Sequence, residues 1–135
     1  MRMIFAATLS AALLAGPVAA ADGSPLHDEK SINDQLLLVA VVDKINRGCD
    51  SIKVKFFKAR SFVNNLKAEA QEKGYSKAEV NSYIENKEHR AAMRKRRDAF
   101  FQARGASSTD GPSLCVFGHA EIQKQSQIGV LLRAK

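Results

Sequence analysis

Between Ile52 and Ala70 the apolar residues Ile52, Phe56, Ala59, Val63, Leu66 and Ala70 recur at alternating intervals of four and three. That is the spacing of one helix face in a bundle. It predicts a helix that begins after Cys49, capped by Asp50 or Ser51, and ends at Gly74. Phe57 lies off this seam. With Ser61, Asn64 and Ala68 it forms a second, uncharged stripe, which suits contact with another helix or with a partner. Upstream, Leu36, Leu37, Leu38, Val39, Val41 and Val42 point in every direction around a helix running from Asn33 or Asp34 to Arg47, with Gly48 as its stop. A helix that is apolar all round is buried among others, or docks its outer side on a membrane partner.

The junction Gly74-Tyr75-Ser76-Lys77-Ala78-Glu79-Val80 combines a helix stop, a capping box of Ser76 with Glu79, and a staple of Tyr75 on Val80. A short helix follows through Val80, Tyr83 and Ile84. Asn86 then caps a new helix, or lies within one continuous bent helix. From about Lys87 to Arg104, His89, Met93, Arg96, Phe100 and Ala103 define an inward seam, while Arg90, Arg94, Arg97 and Arg104 line an adjacent face with Phe101 among them. Arginine forks pair with carboxylates or phosphates, so this face, with Phe57, is the candidate partner surface; a solvated face is the alternative. Arg96, a charge on the seam, must snorkel outward or pair, and Glu121 is its expected partner.

The last stretch follows the loop from Gly105 to Gly111, with Asp110 as a cap and Pro112 in the first turn. At helical spacing Gly118, Ile122, Gln125, Gly129 and Leu132 share one seam, with Cys115 at its edge. Two glycines on a packing side let a neighbouring helix approach closely. These elements predict an all-α fold, a compact bundle of four to five helices over residues 33–135, preceded by a flexible leader over residues 22–32.

Residues 1–21 read as a secretory signal peptide: Arg2 is the positive start, Ile4 to Leu14 the apolar stretch, and Ala20 or Ala21 the cleavage site. An uncleaved anchor is the alternative, although the apolar run is short of the ~20 residues that span a bilayer. What remains of the 135 residues is enough for one domain and too few for two. Export also explains the cysteines. Two of them, Cys49 and Cys115, in an oxidising compartment most simply form one disulfide.

The formal charge is +7, concentrated between Lys87 and Arg104. In an exported chain such a charge meets headgroups, envelope polymers and proteins, so nucleic acid is not an expected partner. Candidate chemistry is sparse. His27, His89 and His119 are scattered, and His119 with Glu121 is the one close pair resembling a ligand set, at a spacing that diverges on a helix. Neither an enzyme, a cofactor, a metal nor a small-molecule substrate is expected.

Several motifs together carry a likeness: Cys49-Asp50-Ser51-Ile52, Gly74-Tyr75-Ser76, Gly118-His-Ala-Glu121-Ile122, and Ser126-Gln127-Ile128-Gly129-Val-Leu131-Leu132-Arg133-Ala-Lys135. Over essentially its whole length the chain resembles an uncharacterised family of small exported alphaproteobacterial proteins encoded among the genes of the respiratory NADH:quinone oxidoreductase, complex I. The resemblance implies a non-catalytic accessory subunit on the periplasmic face of that complex. It would be attached to the inner membrane through membrane-embedded subunits and anionic lipid headgroups. A free-standing periplasmic helical binding or stress protein with a basic face is the alternative.

Overall fold

A computed structural model describes residues 24–135. The signal-peptide segment and the first two leader residues lie outside them. In chain order the described elements are α1 (Ser24–Asp28), α2 (Lys30–Gly48), β1 (Ile52–Val54), α3 (Phe56–Glu72), α4 (Lys77–Glu85), α5 (Lys87–Gln102), α6 (Gly111–Lys124), a 3-10 turn (Gly129–Leu131) and β2 (Leu132–Ala134). The fold is helical, as the periodicity predicts, with six helices among the described residues and one small ribbon.

Helix α2 is the axis. No residue from Ile32 to Asn46 is exposed, because α1, α3, α5, α6 and β1 all pack against it. Its N-terminal half joins Leu26, Leu66, Ala70, Val80, Tyr83 and Met93 in one buried cluster. Its C-terminal half joins Ile52, Phe101, Leu114, Ile128, Leu131 and Leu132 in another. Fully buried side chains of this kind contribute about 1.5–3 kcal/mol each, so α2 supports both clusters. The disulfide between Cys49 and Cys115, 66 residues apart with Cα atoms at 5.1 Å, ties the end of α2 to α6. Closing a loop of that length contributes about 4 kcal/mol in the chain-entropy description.

The expected leader is helical where it is described, and it packs on the rest of the fold. Helix α1 buries Leu26 completely, and Ile32 follows it into the same cluster. Asn33, expected as a cap, instead lies inside α2. Its Nδ2 donates to the carbonyls of Leu26 (2.9 Å), His27 (3.2 Å) and Glu29 (2.8 Å), while its Oδ1 accepts from the Tyr83 hydroxyl at 2.6 Å. Carbonyls at a helix end lack intrahelical partners, and this amide supplies one. Glu29 accepts from the Tyr75 hydroxyl and pairs with Lys73, both at 3.2 Å. Local composition, polar with Gly23 and Pro25, concealed these distant partners.

The chain between α2 and α3 also departs from the expected helix. Ile52 belongs to β1, which pairs antiparallel with β2 in the register Ile52↔Ala134, Lys53↔Arg133, Val54↔Leu132. The ladder is extended by Lys55 N–H to the Leu131 carbonyl and Lys135 N–H to the Ser51 carbonyl. At the other end, α6 stops where Gln125 takes a left-handed conformation (φ 50°). Gly118 and Gly129 therefore do not share a helix face. Gly118 lies in α6, where a Cβ would stand 2.6 Å from Ile52 Cδ1 and 2.8 Å from Ile45 Cγ2. Gly129 lies in the turn that folds back on α6, where a Cβ would run into the Glu121 carbonyl.

The local signals at the helix ends are realised. Ser76 and Glu79 form both halves of the capping box, Gly74 has φ +102°, Asn86 caps α5 through the His89 N–H, and Asp110 caps α6 through the Ser113 N–H. Two substitutions separate the constraints described above. G129A meets fixed backbone and is expected to cost about 3 kcal/mol, read as a shift in urea midpoint. G118A meets side-chain methyls, Ile52 Cδ1 and the branch Cγ2 of Ile45, rather than backbone, and should cost less; equal losses would contradict this packing. Asn33→Leu should cost about 3 kcal/mol by leaving the Tyr83 hydroxyl and the α1 carbonyls without partners, and unchanged thermal unfolding would contradict the role given to that amide.

Candidate functional site

Helix α5 does not present the arginine face that its spacing predicts. Met93 is buried and His89 and Phe100 are half-buried, as the expected seam requires, but Arg97 and Phe101 also turn inward, while Arg96 and Ala103 of that seam are exposed. Phe101 has 0% exposure and packs edge-to-face on Phe100 and Phe117, with centroids 5.9 and 5.6 Å away. It is a core residue and not a partner contact. The Arg97 side chain is only 15% exposed and is held at 2.9 Å by Asp98. The hydrogen bond from Ser108, with that from Arg97, keeps the Asp98 carboxyl below its ordinary value. Arg104 lies just past α5, with its guanidinium stacked 3.5 Å over the Phe100 ring and bonded to the Phe100 carbonyl. Of the four arginines expected on this face, Arg90 and Arg94 are exposed, their guanidiniums with neither a carboxylate pair nor a hydrogen-bond partner among the described residues.

The expected pair of Arg96 with Glu121 is not formed. Arg96 turns outward to Asp34 at 3.2 Å, and Glu121 faces Lys124 at 3.7 Å. The physical reason is the same shift. Phe101 buries a full aromatic ring, and seating it inward rotates Arg96 to the rim, where a surface carboxylate is within reach.

A different surface is both apolar and charged. The apolar stripe of α3 runs inward through Ala59, Val63, Leu66 and Ala70, then continues past the edge of the core to Phe56. Phe56 is 62% exposed and Phe57 80%, their rings in edge contact with centroids 5.6 Å apart. Lys53, Lys55, Lys58 and Arg60 surround them in sequence, and Arg133 stands opposite Lys53 across the ribbon. Beside this corner a mostly apolar cleft of about 160 Å³ opens between α2 and α3, lined by Val42, Ala59, Phe62 and Leu131 and also by Asp43 and Asn46. The spacing sets Phe57 off the α3 seam but puts Phe56 on it, among residues expected to face inward. Its exposure follows from β1, which ends the core one turn earlier than a continuous helix would.

The polar clusters are fewer. His119 hydrogen-bonds the Ser51 hydroxyl at 2.8 Å over the disulfide, and no carboxylate among the described residues bonds its ring. A hydroxyl and an imidazole so placed form a latch between the α2–β1 turn and α6. His89 stacks on Tyr83 with centroids 4.0 Å apart, in a cleft shared with His27, Asp34 and Arg96. Burial, with the charges of His27 and Arg96, lowers its pKa below the ordinary 6.5.

Among the described residues no group of three His, Cys, Asp or Glu is placed to hold a metal ion, and no helix is long and apolar enough to cross a membrane. The arrangement defines a small disulfide-closed helical domain whose free surface chemistry is aromatic and basic. The chain belongs to the family of unknown function DUF5333, whose sequence pattern matches residues 24–133. That span runs from α1 into β2, so the leader helix and the ribbon are parts of the family domain. Neither a curated protein nor a solved structure matches the chain.

The His89 environment has a measurable consequence. Since the folded imidazole resists protonation, the unfolded chain takes up the proton first as pH falls. The associated stability is complete above about pH 6.5 and is lost on acidification from there through the lowered folded value. Thermal unfolding across that window should show a decline that His89→Gln reduces, separate from the losses at Asp34 and Asp98 below their ordinary 3.8. An identical slope in the variant would contradict the assignment.

Proposed function

We propose that this protein is a non-catalytic accessory subunit of the respiratory NADH:quinone oxidoreductase, held on the periplasmic face of the inner membrane. Two lines support the reading. One is the likeness of the Cys49-Asp50-Ser51-Ile52 and Gly118-His-Ala-Glu121-Ile122 motifs to exported proteins encoded among complex I genes. The other, which carries it physically, is the exposed Phe56–Phe57 pair on a rigid disulfide-closed scaffold. Two adjacent aromatic rings left in water mark a surface that is covered when the protein works, and for a subunit held at the inner membrane the bilayer itself can cover it. A subunit of this kind stabilises its complex by binding the assembled state.

A free-standing periplasmic binding or stress protein is the second reading, and the unpaired Arg90 and Arg94 would serve it equally well. Affinity purification of the protein, tagged at native expression level, from gently solubilised membranes separates the two. Complex I subunits in near-equal amounts are expected, and R90E/R94E should reduce their recovery if the α5 face takes part. Recovery of the protein alone in the soluble periplasmic fraction would contradict the subunit reading and favour the free-standing one.

A further inference from the structure

The corner built by β1, the start of α3 and β2 has a composition that selects among partners. From Ser51 to Ala68 there is no Asp or Glu, while Lys53, Lys55, Lys58, Arg60 and Lys67 all lie within that run. The chain after Glu121 is also free of acids and ends in Arg133 and Lys135. The register sets Lys53 directly opposite Arg133, and the ladder bond from the Lys135 N–H to the Ser51 carbonyl holds the last lysine at the same ribbon. Like charges facing each other across strands disfavour the pairing unless an anion sits between them. None of Lys53, Lys55, Lys58, Arg60, Arg133 and Lys135 forms an ion pair among the described residues, so all six are available to an anion, as are Lys77, Lys87, Arg90, Arg94 and Lys95 elsewhere, whereas Lys30, Arg47, Lys73, Arg96, Arg97 and Lys124 are paired.

We infer that this corner binds an anionic lipid surface directly, with Phe56 and Phe57 inserted at the headgroup boundary and the surrounding lysines and arginines on lipid phosphates. Three features favour lipid over a protein partner. Lysine is depleted from the cores of protein interfaces, where aromatics and arginine prevail, yet three of the four cations nearest the rings in sequence are lysines. No acid interrupts these cations between Ser51 and Ala68, and Asp43 of the neighbouring cleft is already paired with Arg47, a balance that suits the phosphates of a bilayer better than the mixed rim of a protein contact. The rings stand at the first two positions of α3 with 62% and 80% exposure, as residues that dip into a soft boundary require. Long lysine and arginine stems can lie along the acyl boundary while their heads remain at the phosphates. The inference is independent of which membrane complex, if any, the protein accompanies: loss of copurification with complex I would leave it standing.

The chain contains no tryptophan, so F57W supplies a single reporter at the inserting position. The full chain carrying F57W, with its disulfide intact, is mixed with vesicles of phosphatidylcholine alone and with vesicles containing phosphatidylglycerol, each with and without brominated acyl chains. On phosphatidylglycerol vesicles the emission should move to the blue, be quenched by the brominated chains and return on adding salt. Phosphatidylcholine alone should give much less. Replacing Lys55, Lys58 and Arg60 by Gln in the F57W chain should weaken partitioning by about fivefold per charge, whereas K77Q/K87Q, at exposed lysines of α4 and α5, should leave it unchanged. Three results would overturn the inference: no spectral change on anionic vesicles; binding of vesicles with the reporter still unquenched, which would place the contact elsewhere; or a shift produced by a purified membrane protein in detergent and never by lipid, which would make the corner a protein site.

Discussion

Burial of α2 on every side is the condition on which the rest of this structure depends. A helix whose apolar residues face all directions has no stable position until other elements surround it. Here α1 and α3 to α5 enclose its N-terminal half, and β1, α5, α6 and the C-terminal tail its other half. Helix α5 bridges the two clusters through Met93 and Phe101. The tail closes the second cluster because Gly129 lets it fold onto the end of α6, and the Cys49–Cys115 bridge holds α6 against the end of the axis. In a domain this small, with limited surface to bury, such closures matter more than they would in a larger core.

Helix ends were legible in the sequence and helix faces were partly so. The Ser76–Glu79 box, Gly74, Asn86 and Asp110 are local devices whose partners lie within a few residues, so the sequence alone contains their geometry. The all-round apolar run of α2 was equally clear, since no rotation of that helix could leave it solvated. The α5 face was misplaced because its apolar residues fit two seams one residue apart. Burial of Phe101 against Phe117 decides between them, and that contact is distant in sequence.

The ribbon was missed for a related reason. Three-residue strands carry too little alternation to be told from a helix turn, and Ile52 satisfies both periods. The same omission hid the most exposed aromatic surface. Once Ile52 is a strand residue, the core ends before Phe56, and the rings of Phe56 and Phe57 are left outside together. Of the α5 arginines, Arg97 is held by Asp98 and Arg104 lies over the Phe100 ring, while Arg90 and Arg94, like the cations around the two rings, are free of carboxylates. Composition located basic charge correctly but could not say which charge was already paired. On a scaffold fixed by its axis and its disulfide, the unpaired set is available to a partner.

Native-state amide hydrogen exchange, resolved by residue, reads the hierarchy that follows from an enclosed axis. Amides from Leu36 to Ile45 should exchange last, only through global unfolding, while those of α4 and the Gly105 to Gly111 loop exchange earlier through local opening. If the α2 amides exchanged as early as those of α4, the axis would not hold the domain together, and this description of the fold would be wrong.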